Sequence, residues 1–167
     1  MNEKNKYKID ENTVREKLQE VMDPEIPKLS VVDLGVITGI QIDDENNVSI
    51  TMTPTFAGCP AVEYMKNDIV EKLSALEAGN IKVDVNYDVQ WNSNMITEKG
   101  RVMLKESGFA LPGKHNGLVQ IELLQNVECP FCESKNTDLR STFGPTQCRA
   151  IHYCNNCLQS FEQFKPV

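Results

Sequence analysis

Four cysteines near the end of the chain have the spacing of a metal site. Cys129 and Cys132 form one C-x2-C pair, Cys154 and Cys157 form another, and residues 133–153 lie between the pairs. Each pair can present two thiolates from one tight turn, and four thiolates at the corners of a tetrahedron are ligands that Zn2+ takes in structural sites. The spacing therefore predicts a zinc ribbon, in which a closed metal site leaves no open position for a substrate.

The residues around these pairs also favour a structural metal. A segment of about 40 residues rarely buries enough apolar surface to fold without a metal, disulfides or a partner, and a structural zinc contributes roughly 10–16 kcal/mol. A rubredoxin-like iron site is the main alternative, but Glu133 and Leu158 stand where its knuckles carry glycine. Cys148 lies outside both pairs, so it either packs on a ribbon strand or substitutes for one of the four ligands.

A separate cysteine, Cys59, lies in a loop that could also do chemistry. Pro60 suits the first position of a helix, which places Cys59 at the N-cap. Because unpaired amides and the helix dipole stabilise a thiolate there, we expect a lowered pKa for Cys59 and a capacity to ligate metal or attack an electrophile. Thr53 and Thr55 add hydroxyl groups to the same loop. A lone cysteine is also commonly a small buried apolar residue, and this alternative stays open.

Hydrophobic periodicity predicts the helices and strands that hold this loop. A capping box that begins at Thr13 and the helix-breaking Pro24 would bound a first helix, and a strand pair would turn between Ile42 and Val48. A helix, a strand and a further helix follow at residues 60–76, 81–89 and 95–106. This order predicts an α+β fold, a two-layer sandwich (α-β-β-α-β-α) with its helices on one face of a three-stranded sheet.

The chain is expected to divide into three parts. Residues 1–108 would form the α+β domain, and residues 109–126 would form a linker because they contain proline and glycine. Residues 127–167 would form a small three-stranded C-terminal zinc ribbon. The alternating apolar residues within 119–123 could add a strand to that ribbon.

The composition excludes several classes of function. The formal net charge is -7 and the isoelectric point is near 4.9; because duplex binding relies on clustered lysine and arginine, nucleic acid is not an expected partner. No apolar run approaches the length of a membrane span, and the polar residues 1–10 lack the apolar stretch of a signal peptide. Paired C-x2-C motifs in such a chain favour metal binding in a reducing compartment. We therefore expect a cytoplasmic protein that does not contact membranes.

Several motifs resemble a known family. Four features are similar to those of the SufT-like metal–sulfur cluster assembly family over residues 10–108: Asp-Pro-Glu-Ile-Pro at residues 23–27, Val-Asp-Leu-Gly-Val-Ile at residues 32–37, the loop of residues 53–60, and Trp91. The ribbon, with Phe-Gly-Pro-Thr-Gln-Cys-Arg at residues 143–149, resembles that of the D subunits of phenylacetyl-CoA epoxidase systems, which act in phenylacetate degradation. Domain and ribbon together extend the resemblance over nearly the whole chain.

The resemblance implies an accessory maturation factor for iron–sulfur or iron centres of the epoxidase system, not an enzyme by itself. Its clients would be the di-iron oxygenase or the reductase with a [2Fe–2S] centre. The family motif falls on Asp33, Thr53, Thr55 and Cys59, to which we add Glu25. Cys59 would be a transient ligand of iron or of an iron–sulfur cluster. Since clusters usually take four ligands, a homodimer mate or a client would complete the set.

Other functions stand beside this one. A stoichiometric, non-catalytic subunit or adaptor of the epoxidase and reductase complex would use the ribbon to bind its partner. A thiol enzyme with Cys59 as nucleophile is disfavoured, because no histidine occurs in residues 1–108 to serve as general base. The sequence alone does not identify the client, the oligomeric state, or whether a cluster is bound.

Overall fold

The computed structural model describes residues 8–115, 121–125 and 127–166, and within them it confirms the α+β class. The helices of the described part are α1 (Glu11–Leu18), α2 (Ala61–Ser74) and α3 (Glu98–Glu106). Its strands are β1 (Met22–Asp23), β2 (Ile26–Ser30), β3 (Ile37–Ile42), β4 (Val48–Met52), β5 (Ile81–Val85), β6 (Phe109–Ala110), β7 (Thr137–Ser141), β8 (Arg149–Cys154) and β9 (Ser160–Phe164). Short 3-10 helices span Ser93–Met95 and Ile121–Leu124. Across these ranges, no helix has the length and apolar character needed to cross a membrane.

The first domain is built on a sheet of three strands. β3 and β4 pair antiparallel as the predicted hairpin, with Ile40 opposite Ile50, and β5 runs parallel to β4. The buried residues of β4 share one apolar core with the stripe of α2 that contains Met65, Ile69 and Leu73. Burial of these side chains is the main favourable contribution to folding. It also fixes the start of α2, and with it Cys59, relative to the sheet.

The N-terminal helix begins and ends earlier in the chain than predicted. Its cap is Asp10, whose Oδ1 accepts a hydrogen bond from the Thr13 amide at 2.8 Å, so the prediction of a capping box at Thr13 was wrong. The helix ends at Leu18 because the next residues form tight turns, in which the Val21 amide donates to the Leu18 carbonyl at 3.2 Å. The chain then enters β1 at Met22.

A strand pair that periodicity did not predict follows α1. β1 and β2 are antiparallel, and the Asp23 carboxylate between them accepts hydrogen bonds from the amides of Glu25 (2.8 Å) and Ile26 (2.9 Å). Aspartate commonly stabilises turns by such bonds to amides two or three residues later. Pro24 and Pro27 concealed the pair in the sequence, because proline usually interrupts a strand pattern. The turn directs Glu25 towards the ribbon, where it forms an ion pair.

Two further boundaries differ from the sequence prediction. The strand predicted to reach residue 89 ends at Val85, because β4 ends at Met52 and the Asn86 amide makes the last hydrogen bond to it at 2.8 Å. The third helix begins at Glu98 instead of residue 95, because the Thr97 hydroxyl caps it by accepting a hydrogen bond from a first-turn amide. Both shifts leave the predicted order of elements intact.

The C-terminal domain is the predicted ribbon with one additional strand. β7, β8 and β9 are antiparallel neighbours, and β6 runs parallel to β9 with Phe109 opposite Glu162. The segment predicted as a linker therefore begins with a strand of the ribbon sheet. The additional strand predicted within residues 119–123 was wrong where the chain is described, since Ile121–Leu124 forms a 3-10 helix; residues 119 and 120 lie outside the described residues.

The ribbon packs directly on the α+β domain. Phe164 of β9 lies edge to face against Trp91, with ring centroids 5.8 Å apart, and Trp91 Nε1 donates to the Leu34 carbonyl at 3.1 Å. Both aromatic rings are buried in the core of the first domain. Because the two domains share apolar contacts, residues from both can line a single site.

Candidate functional site

The four ribbon cysteines converge on one point. Their Sγ atoms all lie within 4.8 Å of one another, with 3.7 Å between Cys129 and Cys157 and 3.5 Å between Cys132 and Cys154. Four sulfurs placed about 2.3 Å from a central Zn2+ would be separated by about 3.8 Å along each edge of the tetrahedron. The cluster therefore fits a metal ion such as Zn2+, with the four thiols as its ligands.

Two equivalent turns build this cluster. In the first turn the Cys129 amide donates to the Ser134 carbonyl, and the Glu133 amide donates to the Cys129 carbonyl. The second turn has the same two hydrogen bonds, from Cys154 to Gln159 and from Leu158 to Cys154. Glu133 and Leu158, which follow the second cysteine of each turn, both have a φ of 60°. Glycine adopts this left-handed conformation freely, whereas other residues lose roughly 1–2 kcal/mol. The missing glycines therefore do not prevent the turns from forming.

Burial makes the ribbon cluster a closed site. Cys129 and Cys154 are fully buried, and the other two cysteines are partly buried. Desolvation and the neighbouring thiols raise the pKa of Cys157 to about 12, whereas a hydrogen bond from the Asn156 side chain lowers the pKa of Cys132 to about 6. Such neighbouring thiols do not all ionise together unless a cation compensates their charge. A closed set of this kind suits a structural ion.

Cys59 lies just before α2. The helix begins at Ala61 with Pro60 at the cap position, one residue later than predicted. The Cys59 amide donates to the Phe56 carbonyl at 3.1 Å, and the Cys59 carbonyl accepts from the Val62 amide at 3.3 Å. These two bonds hold Cys59 at the helix start, beside the Ala61 amide.

The pKa of the Cys59 thiol is raised, so the prediction of a lowered pKa was wrong. Burial is the largest cause, and the nearby groups Cys148, Asp23 and Glu25 raise the pKa further. The Ala61 amide lowers the pKa, as the helix position predicted, but by less than burial raises it. At neutral pH the Cys59 side chain is therefore an uncharged thiol unless a cation compensates its ionisation.

The Cys59 thiol lines a narrow gap of about 10 Å³ between the two domains, which we call the interdomain cleft. Its polar lining consists of Asp23, Glu25, Thr55 and Cys59 from the α+β domain and Thr146, Cys148 and Arg149 from the ribbon. Thr146 Oγ1 lies 3.1 Å from Cys148 Sγ. Burial raises the pKa of Cys148, although Thr146 and Arg149 partly offset this. The cleft thus contains two uncharged thiols and two carboxylates.

Arg149 joins the two walls of the interdomain cleft. Its Nη2 lies 3.0 Å from Glu25 Oε2 and its Nη1 lies 3.1 Å from Glu162 Oε2, while the guanidinium stands 4.9 Å from the centre of the Phe109 ring. The side chain is only 9% exposed, and its Nε has no hydrogen-bond partner. Sequence reasoning missed this residue, and its position beside Cys148 was the feature that could have revealed it.

Two of the predicted site residues lie away from the interdomain cleft. Asp33 accepts hydrogen bonds from Ser30 Oγ (2.9 Å) and Thr97 Oγ1 (2.7 Å) and pairs with Lys99 Nζ at 3.1 Å. Burial alone would raise the pKa of Asp33, but these three partners lower it. The carboxylate therefore connects the end of β2 to the start of α3. Thr53 is buried beyond the end of β4 and lines a neighbouring surface cleft.

The two cysteine sites differ in how closely their ligand atoms approach. Among the described residues, the ribbon cysteines are the only group of three or more Cys, His, Asp or Glu whose ligand atoms all lie within 4.8 Å. The side chains of the interdomain cleft are more widely spaced. The cleft thus brings thiols and carboxylates into one lining without a compact ligand cage.

Comparisons with known proteins match both domains. A family model described as iron-sulfur cluster assembly protein matches residues 11–85, and a model described as PaaD zinc beta ribbon domain matches residues 115–165. An Escherichia coli protein, provisionally named as one of the subunits of 1,2-phenylacetyl-CoA epoxidase, is 35% identical over 90% of this chain and 89% of that protein. A Porphyromonas gingivalis protein named Fe-S protein maturation auxiliary factor is 31% identical over 60% of this chain and 95% of that protein.

Solved structures resemble a part of the chain about as large as the first domain. A domain of unknown function, DUF59, from Bacillus anthracis has a TM-score of 0.54 and 31% identity, over 56% of this chain and 90% of that one. A conserved hypothetical protein from Thermotoga maritima has a TM-score of 0.51 and 33% identity, over 57% of this chain and 93% of that one.

Proposed function

We propose that this chain helps to load iron–sulfur or iron centres into a phenylacetyl-CoA epoxidase system. The chain belongs to the iron–sulfur cluster assembly protein family and carries a PaaD zinc ribbon. The relative named as part of that epoxidase supports the choice of system, and the relative named as a maturation factor supports the type of activity. Iron or a cluster is the cargo. The client is the di-iron oxygenase or the [2Fe–2S] reductase, and the chain is an accessory protein in the cytoplasm.

The observation that carries this proposal is the position of Cys59 in the interdomain cleft. Cys59 is partly buried just before α2, and Asp23, Glu25 and Thr55 line the same cleft. A thiol beside carboxylates offers both ligand types that iron accepts in proteins. The presence of a thiol beside two carboxylates supports a role for Cys59 as a ligand of the cargo.

The electrostatics of the cleft suit a carrier that waits in the protonated form. Because its pKa is raised, Cys59 gives up its proton to solvent when a cation binds, and the Ala61 amide then stabilises the thiolate. The thiolate is the form that reacts with oxidants. An uncharged Cys59 is therefore less prone to oxidation between deliveries than a thiol with a lowered pKa.

The remaining motif residues act indirectly in this proposal. Asp33 fixes α3 through Thr97 and Lys99, and Thr53 is buried at the start of the loop that leads to Cys59. A cluster usually takes four ligands, so a homodimer mate or the client supplies those that this cleft lacks. An incomplete set holds its cargo weakly, which suits transfer.

The test is the variant Cys59→Ala, co-expressed with the oxygenase and the reductase of the epoxidase system. We expect a several-fold lower iron content in one of the two clients and a proportional loss of epoxidase turnover, with unchanged turnover per bound iron. Ala57→Ser is the matched control, because Ala57 is exposed in the same loop and its substitution leaves Cys59 in place. Unchanged iron content and turnover in Cys59→Ala would refute the proposal.

A stoichiometric, non-catalytic subunit is the second candidate function. It is favoured by three large apolar side chains exposed on the ribbon, Phe131 (51%), Phe143 (67%) and Leu158 (69%), since exposed apolar groups often mark contact surfaces. Purification of the mature epoxidase separates the two functions. A maturation factor is absent from the fully active enzyme, whereas a subunit co-purifies in fixed ratio and its removal abolishes turnover.

A further inference from the structure

We propose that Cys148 of the ribbon is a second thiol ligand for the cargo held at Cys59, so that both domains build one binding site for a thiophilic transition-metal ion such as Fe2+. This inference rests on the proposed function in that it concerns the same cargo. It goes further because it assigns a role to the sixth cysteine of the chain and makes the ribbon part of the cargo site.

The first support is that the two thiols share one cleft. Cys59 and Cys148 both line it, both pack at the edge of the same apolar core, and each lies near the carboxylates of Asp23 and Glu25. Cys148 is held there by the chain just before β8, where its carbonyl accepts a hydrogen bond from the Lys165 amide at 2.8 Å. The ribbon cluster does not use Cys148, because its four thiols already complete a tetrahedron.

The second support is the charge at Arg149. Its guanidinium is nine-tenths buried, lines the same cleft, and has an Nε without a partner. A buried charge is costly unless it is paired and hydrogen-bonded. Two thiolates and the Glu25 carboxylate around a divalent ion carry a net charge of -1, and Arg149, which also pairs with Glu162, lies beside them as the one cationic residue of the described cleft lining. Arg149 also holds Glu25 at the cleft by the 3.0 Å ion pair.

The spacing of these ligands explains why the site would bind less tightly than the ribbon cluster. The cleft contains no group of three ligand atoms that all lie within 4.8 Å of one another. Side chains must rotate to close around an ion, and the contact between Thr146 Oγ1 and Cys148 Sγ must be given up. The chain would then retain zinc in the ribbon and release a second ion from the cleft.

The test uses the full chain, purified anaerobically with one zinc per chain, and Co2+ as the probe. Zn2+ binds such ligands more tightly than Co2+, so added Co2+ reports on the cleft. We expect one further Co2+ per chain, with thiolate-to-cobalt charge-transfer absorption. In Cys148→Ser we expect about half of that absorption and at least about tenfold weaker binding, with zinc unchanged. Ala57→Ser, at an exposed position of the Cys59 loop that does not line the cleft, should retain the wild-type spectrum.

Each other outcome is decisive. If Cys148→Ser binds Co2+ like the wild type while Cys59→Ser does not, the role of Cys148 is refuted and the proposed function stands. If Cys59→Ser also binds like the wild type, the carrier role of Cys59 is refuted as well. Loss of zinc from Cys148→Ser would show that this thiol serves the ribbon and would overturn the inference. A wild type that binds no Co2+ beyond its zinc would also overturn it, and the client iron assay would still decide the proposed function.

Discussion

The ribbon cluster and the interdomain cleft both contain cysteines, but the fold assembles them to different degrees. In the ribbon, two local turns bring four sulfurs within 4.8 Å and bury two of them completely. In the cleft, the two thiols come from different domains and are accompanied by carboxylates, hydroxyls and a buried arginine. A complete and closed ligand set retains its ion, whereas an open set at a domain boundary can exchange one. In the proposed function, the ribbon cluster would hold its ion and the interdomain cleft would exchange the cargo.

The largest expected effect comes from breaking the ribbon cluster. Cys129→Ser removes a fully buried ligand, and zinc binding contributes roughly 10–16 kcal/mol to the folding of such units. We expect loss of zinc, unfolding of residues 127–166, and with them loss of the ribbon wall of the interdomain cleft. Metal analysis and limited proteolysis measure these effects. Cys148→Ser is the control that should keep its zinc; a Cys129→Ser protein that keeps stoichiometric zinc would contradict the assignment of the cluster.

A smaller effect is expected from Arg149→Met, which changes the cleft and leaves the zinc ligands in place. The variant removes ion pairs to Glu25 and Glu162, whose side chains are about a third exposed. We expect the free energy of unfolding to fall by about 1–2 kcal/mol, below the 3–5 kcal/mol of fully buried pairs, with zinc retained.

Urea denaturation measures the effect of Arg149→Met. Arg140→Met is the matched control, because Arg140 is 56% exposed, pairs with the exposed Asp138 at 3.4 Å and lies over the Tyr153 ring at 5.0 Å without joining the two domains. Its free energy of unfolding should change by less than about 1 kcal/mol. Equal stability of both variants would show that the ion pairs across the cleft do not hold the domains together.

The smallest effect is expected from Asp33→Asn, which tests whether this motif carboxylate acts on structure or on cargo. Because the pKa of Asp33 is lowered in the folded chain, its charge stabilises the fold above the unfolded pKa, and this contribution is lost as the pH falls through the folded pKa. We expect a loss of about 1 kcal/mol at neutral pH that disappears in acid.

Urea denaturation at a series of pH values measures the contribution of Asp33. Asp84→Asn is the control, since Asp84 is exposed and forms a surface ion pair with Lys82. If Asp33→Asn has wild-type stability at every pH but lowers the iron content of the client, Asp33 acts on the cargo and not on the fold.

The sequence was sufficient where structure is set locally. The C-x2-C spacing predicted the ribbon cluster because each pair lies in one turn, and the alternation of Ile40 and Ile50 with their neighbours predicted the β3–β4 hairpin. The interdomain cleft could not be predicted, because Cys59 and Cys148 meet only when the ribbon packs on Trp91 through Phe164. The same packing reverses the expected pKa shift of Cys59, since burial outweighs the amide at the start of α2.

The two ribbon residues with left-handed backbone conformation differ in what their side chains contact. Glu133 forms an ion pair with Lys105 of α3 at 2.9 Å, whereas Leu158 is largely exposed. The first cysteine turn thereby forms an ion pair with the first domain, and the second presents an aliphatic side chain to solvent. Because so exposed a pair contributes only about 0–1 kcal/mol, the packing of Phe164 on Trp91 sets how the exposed Leu158 side chain is oriented relative to the first domain.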